Sequence, residues 1–194
     1  TMRATARADV RAGGNLAILG DGAIGLCSLL MAKAKGVSKV FMTGLKPHKL
    51  ELAIRLGANA AIDVSRIDFI QAILDETHGE GADSTLATTG WRTMIRDSMK
   101  LTRIGGTICV IGLYHGEEPA IIDEMDFIFR EQTIRGSFAS PNVWPDVIRM
   151  LQAGQIDPRP LITHKFPIEQ ADEAFQTALD DTKKPVKIIL TMDN

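Results

Sequence analysis

Gly20-Asp21-Gly22-Ala23-Ile24-Gly25 sets three glycines at the spacing G-x-G-x-x-G, with a short apolar run before them and a helical period after. That is the setting in which a glycine-rich turn holds a pyrophosphate. Gly20 permits the tight turn off a strand, Gly22 lets backbone approach the anion with no side chain between, and Gly25 lets the helix lie close on the sheet. The N–H groups of Ala23 and Ile24 then stand at the positive end of the helix dipole. Asp21 is unfavourable beside a pyrophosphate, so its carboxylate is expected to turn outward to water.

In such a cradle a ribose-binding acid stands about twenty residues further on, at the tip of the second strand. Here the strand Val40-Phe41-Met42-Thr43 ends at Gly44, followed by Leu45, Lys46, Pro47, His48 and Lys49. A glycine leaves space where an acid would repel a 2′-phosphate, and Lys46 and Lys49 supply charge. The expected cofactor is therefore NADP, with NAD as the alternative, although both lysines also suit a solvated turn. The nicotinamide end is expected across the remaining strand tips, which nominates Thr89, Gly112, Leu113 and Ser137. Glycines at these tips, Gly90, Gly112 and Gly136, suit close approach to a flat ring or ordinary turn chemistry.

No catalytic residue is assigned. Hydride transfer from an alcohol needs a Tyr/Lys pair, a His/carboxylate pair or a Lewis-acid metal. Four residues after Tyr114 stands Glu118, not lysine, and His115 reads as a loop residue more readily than as a proton shuttle. Cys27 and Cys109 lie far apart among apolar neighbours and read as buried reduced thiols. With no H-x-x-x-H or C-x-x-C grouping, no metal ligand is assigned either.

The elements that must position these residues follow from periodicity. Short apolar runs alternate with helical periods, the pattern of βαβ units and a parallel sheet. Strands are expected at 15–19, 39–43, 60–63, 84–88, 107–111 and 133–138. Between them, Ile24, Cys27, Leu30, Met31 and Ala34 form one predicted buried stripe, Leu50, Ala53 and Ile54 another, and Ile67, Ile70 and Ile73 a third. Gly112 to Pro119 reads as a loop before a short helix at 125–130. The fold class is α/β: a Rossmann-type, doubly wound, six-stranded parallel sheet over residues 1–157, with a small α/β appendage over 158–194.

The 194 residues are 45% hydrophobic and 24% charged, with 22 basic against 24 acidic side chains and a formal charge of −2. No basic stripe suits nucleic acid. No apolar run nears the ~18 residues of a membrane span and no leader is apparent, so a cytoplasmic setting is expected.

In combination these segments resemble the cofactor half of a zinc-type medium-chain alcohol or polyol dehydrogenase. The resemblance is carried by Gly13-Gly14-Asn15, Gly20 to Leu26, Lys49-Leu50-Glu51-Leu52-Ala53, Leu56-Gly57-Ala58, Gly81-Ala82-Asp83, Gly105-Gly106, Val110-Ile111-Gly112-Leu113, Thr133 to Ser137 and Leu161 to Pro167. It implies NAD(P)-linked oxidation of a small-molecule secondary alcohol or polyol. It also implies a catalytic zinc and a GroES-like substrate domain lying mainly upstream, and homo-oligomers formed through the sixth-strand region, Thr133 to Phe138. Thr1 to Arg7 reads as a helix already in progress, so the chain is expected to be the C-terminal portion of such an enzyme, inactive alone. Two departures stand out. Gly44, Lys46 and Pro47 match the Gly-Ser-Arg-Pro run of NADP-specific relatives while Leu45 does not, and Ala87 stands where many relatives carry an acid. A stand-alone nucleotide-binding sensor that transfers no hydride is the alternative.

Overall fold

The computed structural model describes residues 1–116 and 122–192, so Glu118 and Pro119 lie outside the described residues. The chain divides into two compact units, residues 1–156 and 157–194. In the first, six strands among the described residues form one sheet, β1 (Asn15–Leu19), β2 (Lys39–Gly44), β3 (Ala60–Asp63), β4 (Ala82–Ala87), β5 (Thr102–Val110) and β6 (Thr133–Gly136). Their order is β3-β2-β1-β4-β5-β6 and every pairing is parallel. The order reverses between β1 and β4, so a crevice opens at the carboxyl ends of those two strands.

Parallel pairing needs crossover helices, and burial on both faces needs apolar strands. Leu16, Ala17, Ile18 and Leu19 of β1 and Val40, Phe41 and Met42 of β2 are all buried. On one face Ala17, Leu19, Phe41 and Ile62 pack with Ile73 of α4 (Phe69–Glu76) and Leu101 of α5 (Met94–Leu101). The opposite pleat carries Leu16, Ile18 and Met42. α2 (Ala23–Ala34) and α3 (Pro47–Arg55) join β1 to β2 and β2 to β3, and α1 (Met2–Arg7) precedes the sheet.

The buried face of α2 differs from the predicted stripe. Gly25, Leu26, Ser28, Leu29, Met31 and Ala32 are buried, while Ile24 is 48% exposed and Ala34 is exposed. The helix is apolar nearly all round, so periodicity does not choose a face; the need to bring Gly25 against β1 does. Ile54 and Ile67 are also about half exposed, Ile67 lying before α4, where Asp68 caps the helix by accepting the N–H groups of Ile70 and Gln71.

Strand limits moved too. β4 runs from 82 to 87, and Thr88 follows it. β5 starts at Thr102, pairs with Ala82, bulges through 103–106 and resumes pairing at Thr107 with Ser84. A hydroxyl bond of 2.6 Å between Thr85 and Thr102, and a second of 2.6 Å from Thr102 to the Ser98 carbonyl, hold that early start. At the amino edge of the sheet, the Asp83 carboxylate accepts the Asn15 N–H at 2.7 Å and Arg103 Nε at 2.6 Å, tying β1, β4 and β5 together. α6 (Glu124–Arg130) leads into β6, and α7 (Trp144–Gln152) completes the unit.

The second unit pairs β7 (Ile162–Pro167) with β8 (Lys187–Thr191) in parallel through α8 (Ala171–Leu179). Phe175 on α8 is 68% exposed, whereas Phe166 and Ile189 are half-buried.

Candidate functional site

The glycine turn sits between the tip of β1 and the first turn of α2. Gly20 has φ +123°, and a Cβ there would lie 2.5 Å from Thr89 Cγ2, so both conformation and space require glycine. A Cβ on Gly25 would lie 2.1 Å from the Gly20 carbonyl oxygen, which is the close helix–strand approach expected of it. Gly22 is different: nothing lies within 4 Å of its Cβ position. It is the N-cap of α2, no side chain caps the helix there, and no acidic residue occupies the first turn. The first N–H groups of α2 therefore face open space with the helix dipole behind them, an arrangement that favours an anion.

Beside the turn lies a cavity of about 410 Å³ lined by Gly20, Asp21, Thr43, Gly44, Leu45, Val64, Phe69, Thr89 and Trp91. Phe69 and Trp91 meet edge to face at 6.3 Å between ring centroids, and the indole N–H donates to Asp97 at 2.9 Å. With Leu45 and Val64 these rings make apolar walls suited to a planar base. The Thr89 hydroxyl is buried and has no hydrogen-bond partner. An orphaned hydroxyl costs free energy unless something satisfies it, and a polar ligand in this cavity could.

Asp21 corrects the reading of its direction. Its carboxylate does not turn out to water; Oδ2 accepts the N–H of Leu45 at 2.9 Å and the N–H of Lys46 at 2.8 Å. These donors belong to the turn between β2 and α3, where a pair of backbone N–H groups attracts an anion. Lys46 on that turn and Lys49 in the first turn of α3 stand half-buried without lining the cavity.

A second, wider cavity of about 1080 Å³ gathers Gly112, Leu113 and Ser137 with Arg3, Arg7, Phe138 and Trp144. Its aromatic members are exposed, Phe138 at 82% and Trp144 at 64%. The tip glycines differ in what they serve. A Cβ on Gly90 would strike the Leu113 carbonyl at 1.9 Å, and one on Gly112 the Thr89 carbonyl at 2.0 Å, so these two admit neighbouring backbone; around Gly136 the space is open. His115 is exposed.

The structure thus brings Gly20, Gly44 and Thr89 to one cavity and Gly112, Leu113 and Ser137 to another. Ala23 and Ile24 stand at the helix start. Phe69, Trp91 and Val64 were not anticipated as site residues. Trp91 carried a signal, being two residues beyond Thr89 at a strand tip, whereas Phe69 and Val64 are brought there only by the sheet order. A third cavity, about 350 Å³, lies at the opposite edge around Asp9, Arg11, Asp83 and Arg103, away from the crevice.

Zinc does not fit these residues. Cys27 is half-buried in α2 and Cys109 is buried in β5, where burial pushes its thiol pKa up. Among the described residues no three His, Cys, Asp or Glu side chains converge.

Residues 23–153 match the model of the family described as zinc-binding dehydrogenase. The chain belongs to that family. Sorbitol dehydrogenase of Gallus gallus is 35% identical over 196 residues, covering 99% of this chain and 54% of that protein. L-threonine 3-dehydrogenase of Bacillus licheniformis is 35% identical over 168 residues, covering 85% of this chain and 48% of that one. A solved dehydrogenase from Sinorhizobium meliloti 1021 bound to NADP superposes with a TM-score of 0.90 at 26% identity, covering 97% of this chain and 55% of that chain. The chain spans about half the length of the curated relatives it matches. The matches do not favour a non-catalytic sensor.

Proposed function

We propose that residues 1–194 are the dinucleotide-holding part of an NAD(P)-dependent dehydrogenase that removes a hydride from a small secondary alcohol or polyol. The observation that carries this reading is the uncapped start of α2 at Gly22, open in front and adjoining a cavity with an orphaned Thr89 hydroxyl. In this reading Gly20, Gly22, Ala23, Ile24 and Gly25 hold the pyrophosphate, and Phe69, Trp91, Val64 and Leu45 enclose the adenine. Gly44, Lys46, Lys49 and Thr89 surround the adenosine ribose, while Gly112, Leu113 and Ser137 lie along the nicotinamide end. Bound NAD(P) supplies the hydride acceptor; the chain's own residues bind it, orient it and exclude water from the adenine.

The alcohol class is supported by the sorbitol and threonine dehydrogenase relatives. A zinc that polarises the alcohol oxygen belongs, on this proposal, to a part of the protein outside residues 1–194, toward which the unit from residue 157 onward would return. For the nucleotide, Lys46, Lys49 and the NADP-bound relative support NADP, while the position of Asp21 supports NAD. A cytoplasmic setting and a homo-oligomer paired through β6 complete the proposal. The second rests on β6 standing at the sheet edge with its outer backbone groups facing no strand among the described residues. No helix among the described residues is long and apolar enough to cross a membrane.

The test is calorimetric titration of the chain with NADH and NADPH, together with an assay of sorbitol and L-threonine oxidation in the presence of zinc. One dinucleotide should bind with 1:1 stoichiometry and no zinc-dependent turnover should appear. Failure of both nucleotides to bind contradicts the proposal, and turnover by residues 1–194 alone contradicts the placement of zinc elsewhere.

A further inference from the structure

We propose that Asp21, reaching from the second position of the glycine turn, serves as the ribose-reading acid of this site and sets a preference for NAD over NADP. The inference rests on the dinucleotide reading above and goes beyond it by naming the residue that discriminates.

Three observations carry it. The tip of β2 is Gly44, so no acid of β2 stands at that tip. The space beside Gly44 is filled by Asp21: a Cβ built on Gly44 would lie 2.3 Å from Asp21 Oδ2 and 2.4 Å from Asp21 Cβ. Any side chain at 44 and the observed Asp21 therefore exclude one another. Asp21 thus places an acid, from the neighbouring loop, at nearly the point that a side chain at position 44 would occupy. Finally, Asp21 Oδ2 already accepts the two backbone N–H groups, Leu45 at 2.9 Å and Lys46 at 2.8 Å, that would otherwise be the natural donors to a 2′-phosphate.

The consequences for the two nucleotides are opposite. A carboxylate has lone-pair capacity for about four hydrogen bonds, so the same group that holds the turn can take ribose hydroxyls as donors. A 2′-phosphate brings further negative charge and no donor to a carboxylate within a few ångströms, inside a cavity partly shielded from water, where such repulsion is only weakly screened. To bind it, Asp21 would have to leave and the turn would lose its acceptor. Lys46 and Lys49 would offset part of that repulsion, which makes the outcome a measurable competition between them and Asp21. Specificity of this kind comes from a built-in repulsive element as much as from an attractive one.

The experiment compares NADH and NADPH dissociation constants on the 194-residue chain and on three variants, with thermal unfolding as the control for folding. The chain should bind NADH tighter by about tenfold or more. Asp21→Asn keeps an acceptor oxygen for the turn; it should unfold at nearly the same temperature, weaken NADH and narrow the ratio to within about threefold. Asp21→Ala frees both N–H groups and should bring NADPH to parity or beyond. Combining Gly44→Asp with Asp21→Gly, which removes the Cβ that would otherwise lie 2.4 Å from a side chain at 44, returns an acid to the strand tip and should restore the NADH preference. If the chain prefers NADPH, or if its preference is the same in Asp21→Asn, the role of Asp21 is overturned while the dinucleotide site stands. If neither nucleotide binds the folded chain, the site reading itself fails, and this inference with it.

Discussion

The two halves of the crevice are built differently. At the tips of β1 to β4, polar contacts are specific and enclosed: a carboxylate on two backbone donors, an orphaned buried hydroxyl, and two aromatic rings at right angles around about 410 Å³. At the tips of β5 and β6 the cavity is wider, about 1080 Å³, and its large apolar side chains, Phe138 and Trp144, face solvent. Enclosure and fixed donors give recognition of one ligand; exposed apolar surface gives area with little discrimination until something covers it. On the proposed reading, the adenosine half is the enclosed one and the nicotinamide half the open one.

That contrast can be broken first at the helix start. Gly25→Ala puts a methyl 2.1 Å from the Gly20 carbonyl oxygen, so the strand and α2 must part. We expect a loss of about 1–3 kcal/mol of stability, as for other overpacked sites, together with loss of dinucleotide binding, measured by denaturant unfolding and titration. Gly22→Ala separates the two effects. Its Cβ meets nothing within 4 Å, so stability should change by no more than about 0.5 kcal/mol. Affinity should fall roughly ten- to a hundredfold, since the methyl stands where the anion approaches. Equal binding by wild type and Gly22→Ala would remove the pyrophosphate from the cradle.

Thr89→Val is a smaller probe of the enclosed half. The hydroxyl it deletes has no partner, so stability should hold or rise by up to about 1 kcal/mol, while affinity for the favoured nucleotide drops a few-fold. Unchanged affinity would mean that the ligand leaves the hydroxyl unsatisfied. The smallest effect is expected at the opposite edge. Burial pushes the Asp83 carboxyl up, but the Asn15 N–H and the Arg103 guanidinium outweigh it and hold its pKa below the usual carboxylate value. A depressed carboxyl contributes stability that is present above its unfolded pKa of about 3.9 and is lost as pH falls through the folded value. Asp83→Asn should therefore flatten the acid limb of the stability curve below about pH 4 without altering dinucleotide affinity at neutral pH. A change in affinity would show that the two edges of the sheet are coupled.

Much of the fold was legible because parallel strands buried on both faces write themselves as short apolar runs, and Leu16 to Leu19 and Val40 to Thr43 did so. α2 shows where periodicity fails: a helix apolar on all sides gives no face, and Ile24 sat in the predicted stripe although it is half exposed. The bulge in β5 was hidden because Gly105-Gly106 reads as a strand boundary, whereas Thr102 pairs before it. At the site, the glycine turn was legible because Gly20 and Gly25 answer a backbone need. The partner of Asp21 was not, since Asp21 and Leu45 are 24 residues apart in sequence and meet only through the pairing of β1 with β2. Phe69 and Val64 were missed for the same reason: long-range placement carries no local pattern.

The central claim, that a dinucleotide lies across the start of α2 with its adenosine beside β2, is tested most directly by following backbone amide NMR signals of the 194-residue chain during titration with NADH. The account predicts the largest saturable shifts at Gly20 to Gly25, at Gly44 to Lys46 and at Thr89. Shifts confined to Asp9 to Asn15, Asp83 and Arg103 at the opposite edge, or no saturable shift at all, would contradict it.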